Sequence, residues 1–433
     1  MSEETNLLIN QPLEEIPKKE EEPVKKGSTV LQTRLHSLDV FRGITMFFMI
    51  MVDDMGDFDY VYWTFNHSEW NGCTPADVVF PAFIFIVGVA IPFALTRTLQ
   101  KSHRWFELRK NIRNKIFLKI SRRAVLLWVI GLFLNITANL YKFKKWRIMG
   151  ILQRIGTVYF FLAFSFVLFN GFWLVQLIVV SVFALIYVVV MYSYKVPGCD
   201  KGSAFTDYCN PSGYFDRQVL TRHHMIYPTD PEGLFSTFSA SINLFFGLSC
   251  GLIILLYFRD KKNTLRYNSL ILKRLIFGSK FFIAYPRLYK IFLLSIPGFI
   301  GLFLGLILKI WIPWNKSIWS LSFAFFTSGI SGLLLVFLHI VVDLNRYGRP
   351  ILKIFEWMGT NPLVVFVLMV LLEILLLRAN VGNVQLWHYI YIHGYNSWIS
   401  NKKFASFVFA FCHFILWDLV SFILYRKRIF IKL

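Results

Sequence analysis

The sequence predicts an all-α polytopic membrane protein with about ten transmembrane helices. Three observations carry that expectation. Hydrophobic residues make up 56% of the 433-residue chain and charged residues only 16%, against about 25% in soluble proteins. Mean hydropathy is +0.54. Apolar runs recur at lengths able to cross about 30 Å of hydrocarbon. So little polar material excludes a water-soluble globular enzyme, and so much apolar material excludes disorder over most of the length.

In chain order, residues 1–33 form a separate region with seven Glu and four Lys and no continuous apolar run. It predicts a disordered cytosolic tail with no cleaved signal peptide. Glu3 stands four positions before Leu7-Leu8, the spacing of an acidic dileucine signal read by sorting adaptors. Ten spans follow, at roughly 38–55, 76–98, 116–138, 149–170, 172–194, 233–257, 290–311, 318–342, 357–377 and 404–425, within one region covering 34–433. No repeat relates the two halves.

The net charge of +21 reads as topology and not as nucleic-acid binding, because Lys and Arg mark cytoplasmic loops. If the spans alternate, one side carries 32 basic residues and the other 13. This places both termini in the cytosol. The Asp53 to Pro75 loop on the far side holds no Lys or Arg, but four Asp and one Glu. Lys142 to Arg147 is a basic exception on that side. Cys199 and Cys209 share the far-side loop 195–232, ten residues apart, and are expected to pair in an oxidising lumen. Cys250 and Cys412 fall within spans and read as packing residues.

The polar residues come next. His67 lies in the first far-side loop and can exchange protons near neutrality; Asn66-His67-Ser68 is also a glycosylation sequon. Thr74, Pro75 and Asp77 read as N-cap, N1 and capping-box carboxylate of the second span. Asp230-Pro231-Glu232-Gly233 reads the same way for the sixth, with Glu232 also able to face a lumenal amine or sugar. Within the spans, Arg154, Glu373, Asp418, His339 and His413 require partners or water. Arg154 is either a phosphate or thioester ligand or the partner of Glu373 or Asp418. Asp39 and Arg42, three apart on one helical face, make either a local ion pair or an anion site at the cytosolic mouth.

Several of these segments together resemble one family. Ser37-Leu38-Asp39-Val40-Phe41-Arg42-Gly43, His67 through Pro81, Gly150-Ile151-Leu152-Gln153-Arg154-Ile155-Gly156 and Gly213-Tyr214-Phe215-Asp216-Arg217 appear in order. Asp230-Pro231-Glu232-Gly233, Asn315 through Ser320 and Gly359-Thr360-Asn361 complete the series. The pattern, from about residue 34 to the C-terminus, is similar to the heparan-α-glucosaminide N-acetyltransferases and their bacterial relatives. The resemblance implies a lysosomal membrane enzyme. It would move acetyl from cytosolic acetyl-CoA, a co-substrate, to the amine of a lumenal terminal α-glucosamine of heparan sulfate. Its active histidine maps onto His67.

Acetyl-CoA is expected at Asp39, Arg42, Arg154 and Asn361, with Arg122 and Arg123 also facing its phosphates. The acceptor is expected at Asp53, Glu69, Trp70, Asn71 and Glu232. Other expected partners are membrane lipid, sorting adaptors at the tail and a second copy of the chain; no metal and no nucleic acid are expected. Two departures from the family pattern stand out: the extra lumenal N-terminal domain of the animal enzymes is not seen ahead of residue 34, and Asp53-Asp54 stands where Asn is usual. An acyltransferase for another glycan or lipid, and a solute or proton transporter, remain open alternatives.

Overall fold

The computed structural model describes residues 35–99, 110–138, 146–169, 171–199, 204–221, 223–255, 286–345 and 347–431. The dileucine-type sequence and most of the Lys142 to Arg147 cluster lie outside them.

A helix occupies each expected span: α1 (His36–Asp53), α2 (Pro75–Leu99), α3 (Lys110–Ala138), α4 (Ile151–Leu168) and α5 (Trp173–Ser193). A short α6 (Pro211–Leu220) lies in the loop before α7 (Thr237–Ile253). Then come α8 (Pro286–Leu308), α9 (Leu321–Leu338), α10 (Lys353–Met358), α11 (Pro362–Arg378), α12 (Leu386–Tyr391) and α13 (Lys402–Arg426). A two-residue hairpin, Asn380–Val381 with Val384–Gln385, precedes α12. Among the described residues six helices are long and apolar enough to cross a membrane. The others fall short for visible reasons: α7 and α11 are 17 residues long, α1 carries Asp39, Arg42 and Asp53, and the first half of α3 is basic as far as Arg123.

The chain is apolar outside and polar within. On α5, Leu174, Ile178, Val182, Leu185 and Val189 recur at helical spacing and are all exposed. Such a stripe suits lipid and not water. Inside, the Asn243 amide donates to the Ala324 carbonyl at 3.1 Å, Thr327 Oγ1 at 3.0 Å and Ser328 Oγ at 2.9 Å, and its oxygen accepts from Trp319 Nε1 at 3.0 Å. In hydrocarbon every such group needs a partner within the protein. This architecture is that of an all-α polytopic membrane protein.

Two contacts seat the opening motif. A Cβ on Gly43 would stand 1.8 Å from the Phe355 carbonyl oxygen, and one on Gly359 would stand 1.7 Å from that of Asp39. Only glycine permits α1 to lie this close to α10 and the turn after it. Two of the family segments thereby become one helix contact.

Cys199 and Cys209 form the expected disulfide, and Cys250 is buried within α7. The expected capping role of Asp230-Pro231-Glu232-Gly233 is corrected. Helix α7 begins only at Thr237. Asp230 instead closes a tight turn, accepting from the Glu232 amide at 2.9 Å and from the Ile226 amide at 3.1 Å. Its carboxylate and that of Glu232 both bind Arg147, so the one described member of the basic far-side cluster is neutralised in place.

Candidate active site

The loop between α1 and α2 is fixed by one carboxylate. Asp77 is fully buried. Its Oδ2 accepts from the Thr74 amide at 3.0 Å and Thr74 Oγ1 at 3.1 Å, completing the expected capping box. The same oxygen accepts from the Ser68 amide at 3.2 Å and Ser68 Oγ at 2.9 Å. That leaves Oδ1 for His67 Nδ1, at 2.8 Å. A carboxylate can only accept, so Nδ1 carries the proton and Nε2 the lone pair. The sequence reading separated a structural Asp77 from a chemical His67; the structure makes Asp77 both cap and orienting group.

A second cation enters that sequence reading had not assigned to the site. Lys316 Nζ stands 3.1 Å from His67 Nε2, 3.2 Å from Nδ1 and 3.8 Å from Asp77 Oδ1. The near-equal distances to both ring nitrogens put the ammonium across the imidazole and not along one lone pair. Its signal in the sequence was membership of the Asn315 to Ser320 segment. The loops are tied together here: the Gly72 amide donates to the Trp314 carbonyl at 2.7 Å, and Asn315 Nδ2 to Asn71 Oδ1 at 3.3 Å.

His67 opens onto a cavity of about 660 Å³, within the size range of small-molecule sites. The end of α1, the start of α4 and the latter parts of α3 and α11 form its walls, with Asp53, Gln153 and Glu373 among the polar groups facing it. Arg147 and Arg378 reach its edge. Of the expected acceptor residues, only Asp53 shares this cavity with His67. Trp70 and Asn71 instead join loops, Trp70 Nε1 donating to the Phe205 carbonyl at 2.7 Å. Glu69 is exposed. Glu232 is held by Arg147.

The expected acetyl-CoA residues also separate. Asp39 and Arg42 form the local ion pair, Arg42 Nη1 to Asp39 Oδ1 at 3.2 Å. They sit about 21 Å and about 17 Å along α1 from Asp53, at 1.5 Å per residue. Arg154 lines no described cavity and pairs with neither Glu373 nor Asp418. It is fully buried, donates to the Gly233 carbonyl at 2.7 Å and to Ser236 Oγ, and lies over the Trp319 ring. Asn361 ties down the C-terminal segment, donating to the Ile429 carbonyl and accepting from the Ile431 amide, both at 2.9 Å. Short apolar-flanked segments do not reveal which way a polar side chain turns, and here Arg154 and Asn361 turn into the protein.

Electrostatics outside the spans sharpen the picture. Burial opposes charge on Arg147, yet Glu232 and Asp230 outweigh it and raise its pKa. Burial likewise works against Glu232, and Arg147 then Arg154 hold its carboxyl below the usual range. Burial pushes the Cys73 thiol up to about 12, with the Asp77 charge adding to it. That shift disfavours the thiolate, so Cys73 is no candidate nucleophile. Among the described residues no three His, Cys, Asp or Glu are grouped to hold a metal ion.

Residues 34–198, which contain His67, Asp77 and the start of α4, match the family model described as "Heparan-alpha-glucosaminide N-acetyltransferase, catalytic". The whole chain aligns with the human heparan-alpha-glucosaminide N-acetyltransferase at 29% identity and with the mouse protein at 27%, covering 66% of each. The chain thus spans just under two thirds of the length of these curated relatives. The histidine loop thus falls within this family model, and the likeness to these curated relatives runs through the full chain.

Proposed function

We propose that this protein transfers acetyl from cytosolic acetyl-CoA to the amine of a terminal α-glucosaminide on the far side of the membrane. The observation that carries the reading is His67, held by Asp77 and lining a cavity between helices. The names of the relatives point to heparan as the glycan, and the sequence resemblance implies a lysosomal membrane setting. The 32-to-13 basic asymmetry supports cytosolic termini and a lumenal His67.

The chemistry follows from the acceptor. A protonated amine is no nucleophile, so His67 Nε2 takes a proton from it, and Asp77 stabilises the imidazolium that forms. The amine nitrogen bonds to the thioester carbonyl carbon while negative charge gathers on its oxygen. Lys316 places an ammonium beside that developing charge. The C–S bond then breaks, His67 passes the proton to the departing CoA sulfur, and the amide nitrogen gives its remaining extra proton to the freed Nε2, which releases it to water. Attack by His67 itself, through an acetyl-imidazole, would use the same lone pair; Asp77 serves the general base as it stands. Arg122 and Arg123, with Arg42 beside its partner Asp39, are the cations that would meet the CoA phosphates at the cytosolic mouth.

Tail residues Glu3, Leu7 and Leu8 would direct sorting by adaptors. Leu7→Ala with Leu8→Ala should move the protein to the cell surface with its activity intact, as imaging and membrane assays would show.

Purified full-length protein given labelled acetyl-CoA and a panel of amino sugars tests the central reading. Label should pass to glucosamine-terminated acceptors. Sugar or proton flux with no acetyl-CoA consumed would make it a transporter instead.

A further inference from the structure

Acetyl transfer to an amine leaves one proton over at each turnover. The amine arrives as an ammonium, CoA departs as a thiol, and the amide product is uncharged. Of the two protons that nitrogen loses, one ends on sulfur. The other ends on His67 Nε2 and must leave before the next cycle. Asp53 lines the same cavity as His67 and lies within electrostatic range of it and of Lys316. Its neighbour Asp54 turns instead to His413, at 3.3 Å. Glu373 is the next carboxyl in that cavity, within range of both aspartates. It sits in α11 within the otherwise apolar run from Pro362 to Leu377.

Among the described residues Glu373 makes no hydrogen bond or ion pair. Arg154, the partner weighed for it in the sequence, is engaged elsewhere. The arginines at the cavity edge are committed, Arg147 to Asp230 and Glu232 and Arg378 to the Thr137 carbonyl. A carboxyl inside a span and facing a cavity marks a substrate path or a proton relay. Glu373 also stands at a junction. A second cavity of about 300 Å³ adjoins the first, and Glu373, Phe58 and Leu377 line both. The other titratable groups of the second cavity are Asp57, Asp59 and His388. Asp59 and His388 are exposed, so this side passage reaches the surface.

We propose that Asp53 and Glu373 carry the leftover proton from His67 into the second cavity, where Asp57, Asp59 and His388 pass it to the far side of the membrane. The inference rests on the acetyl-transfer reading and adds an exit route to it. Each carboxylate takes the proton, becomes neutral and gives it up again, through bridging water where the groups stand apart. Only N–H and O–H bonds form and break. Acceptor and pantetheine together would fill the first cavity and displace its water. The side passage then keeps Nε2 in touch with the surface. The sequence agrees: Asn is usual where Asp53-Asp54 stands, and an amide has no carboxylate to take up the proton.

Transfer from labelled acetyl-CoA to glucosamine by the full-length protein in detergent tests this, with single-turnover and steady-state rates measured side by side. In weak buffer Glu373→Gln should lower the steady-state rate about tenfold or more. Its single-turnover rate should stay within about threefold of wild type, because one proton can rest on His67. Formate, a small carboxylate able to enter the gap, should restore the steady-state rate of the variant and leave wild type unchanged. Asp53→Asn should behave alike, and Glu373→Asp should keep part of the rate. A Glu373→Gln protein with wild-type steady-state turnover in weak buffer would overturn the relay. So would equal losses in both rates that formate does not repair, the mark of a structural role. If wild type itself transfers no acetyl, the transfer reading falls and the relay with it; the outcomes on the variant, with wild type active, overturn the relay alone.

Discussion

The two ends of α1 show two uses of polar side chains in an apolar protein. At its start, polar groups pair with one another. Asp343 accepts from the His36 amide at 3.2 Å and the Ser37 amide at 3.3 Å, capping the helix from a distant segment. Glu356 accepts from His36 Nδ1 at 2.8 Å and pairs with Arg349 at 3.4 Å. Burial opposes its charge, but those two partners hold its carboxyl below the usual range. At the far end, Asp53, Glu373 and His67 line a cavity. The closed set fastens α1 to α10 and the segment after α9; the open set has chemistry left to offer. Satisfied groups hold a fold, and groups left facing a cavity are where a substrate completes the pairing.

The largest effect should come from the open end. His67→Ala should lower acetyl transfer about 10²–10⁴-fold, the usual worth of a general base, with acetyl-CoA binding retained. Single-turnover transfer measured beside acetyl-CoA affinity reads both. Turnover within a few-fold of wild type would remove His67 from the mechanism and break the contrast between the two ends.

Asp77 tests whether a group can serve on both counts. Asp77→Asn keeps the size of the side chain but weakens its hold on the His67 Nδ1 proton, so the wrong tautomer becomes accessible. Transfer should fall by about 10²-fold, the low end of what a general base is worth, and stability by about 1–3 kcal/mol from weakened buried hydrogen bonds. A loss of stability with full activity would mean that the carboxylate only caps α2.

Much of this could be read from the amino-acid sequence, for identifiable reasons. Run length alone located the helices, because hydrocarbon thickness is a fixed ruler. The capping box at Thr74 to Asp77 and the ion pair between Asp39 and Arg42 are local in sequence, so spacing revealed them. What stayed hidden depends on contacts across the fold. Lys316 meets His67 over 249 residues, and Glu373 becomes notable only once its neighbours are known to leave it unpaired. Asp230 looked like a cap because Asp-Pro commonly opens helices; its real partner, Arg147, lies 83 residues away.

That cluster belongs with the closed set and gives the next test. Arg147→Met would leave Asp230 and Glu232 buried without their cation. Removing one side of a buried pair costs about 3–5 kcal/mol, and thermal unfolding in detergent should show it as a large drop. An unchanged melting temperature would mean that water reaches these carboxylates and that the far-side end is open throughout.

The smallest effect, about 2 kcal/mol, concerns Asp216, a neighbour of that cluster on α6. Its Oδ1 accepts from the Phe235 amide at 3.0 Å, and Oδ2 has no hydrogen-bond partner. Burial raises its pKa to about 7; the Phe235 amide lowers it, Asp230 raises it, and Arg154 and the Leu234 amide lower it. The folded protein thus keeps a proton on Asp216 that the unfolded chain, with an ordinary pKa near 3.8, gives up. The stabilisation is fully present below about pH 4 and is lost as pH rises through about 7. Between pH 5 and 7 the folded state binds nearly one proton more than the unfolded one, so wild-type stability should fall by about 2 kcal/mol from this group. Asp216→Asn cannot titrate and should remove that slope. Melting temperatures of both proteins at pH 5 and pH 7 measure the difference. Parallel pH profiles would show that Asp216 is ionised throughout, with Arg154 as its counter-ion, and would move it from the neutral buried groups into the paired set.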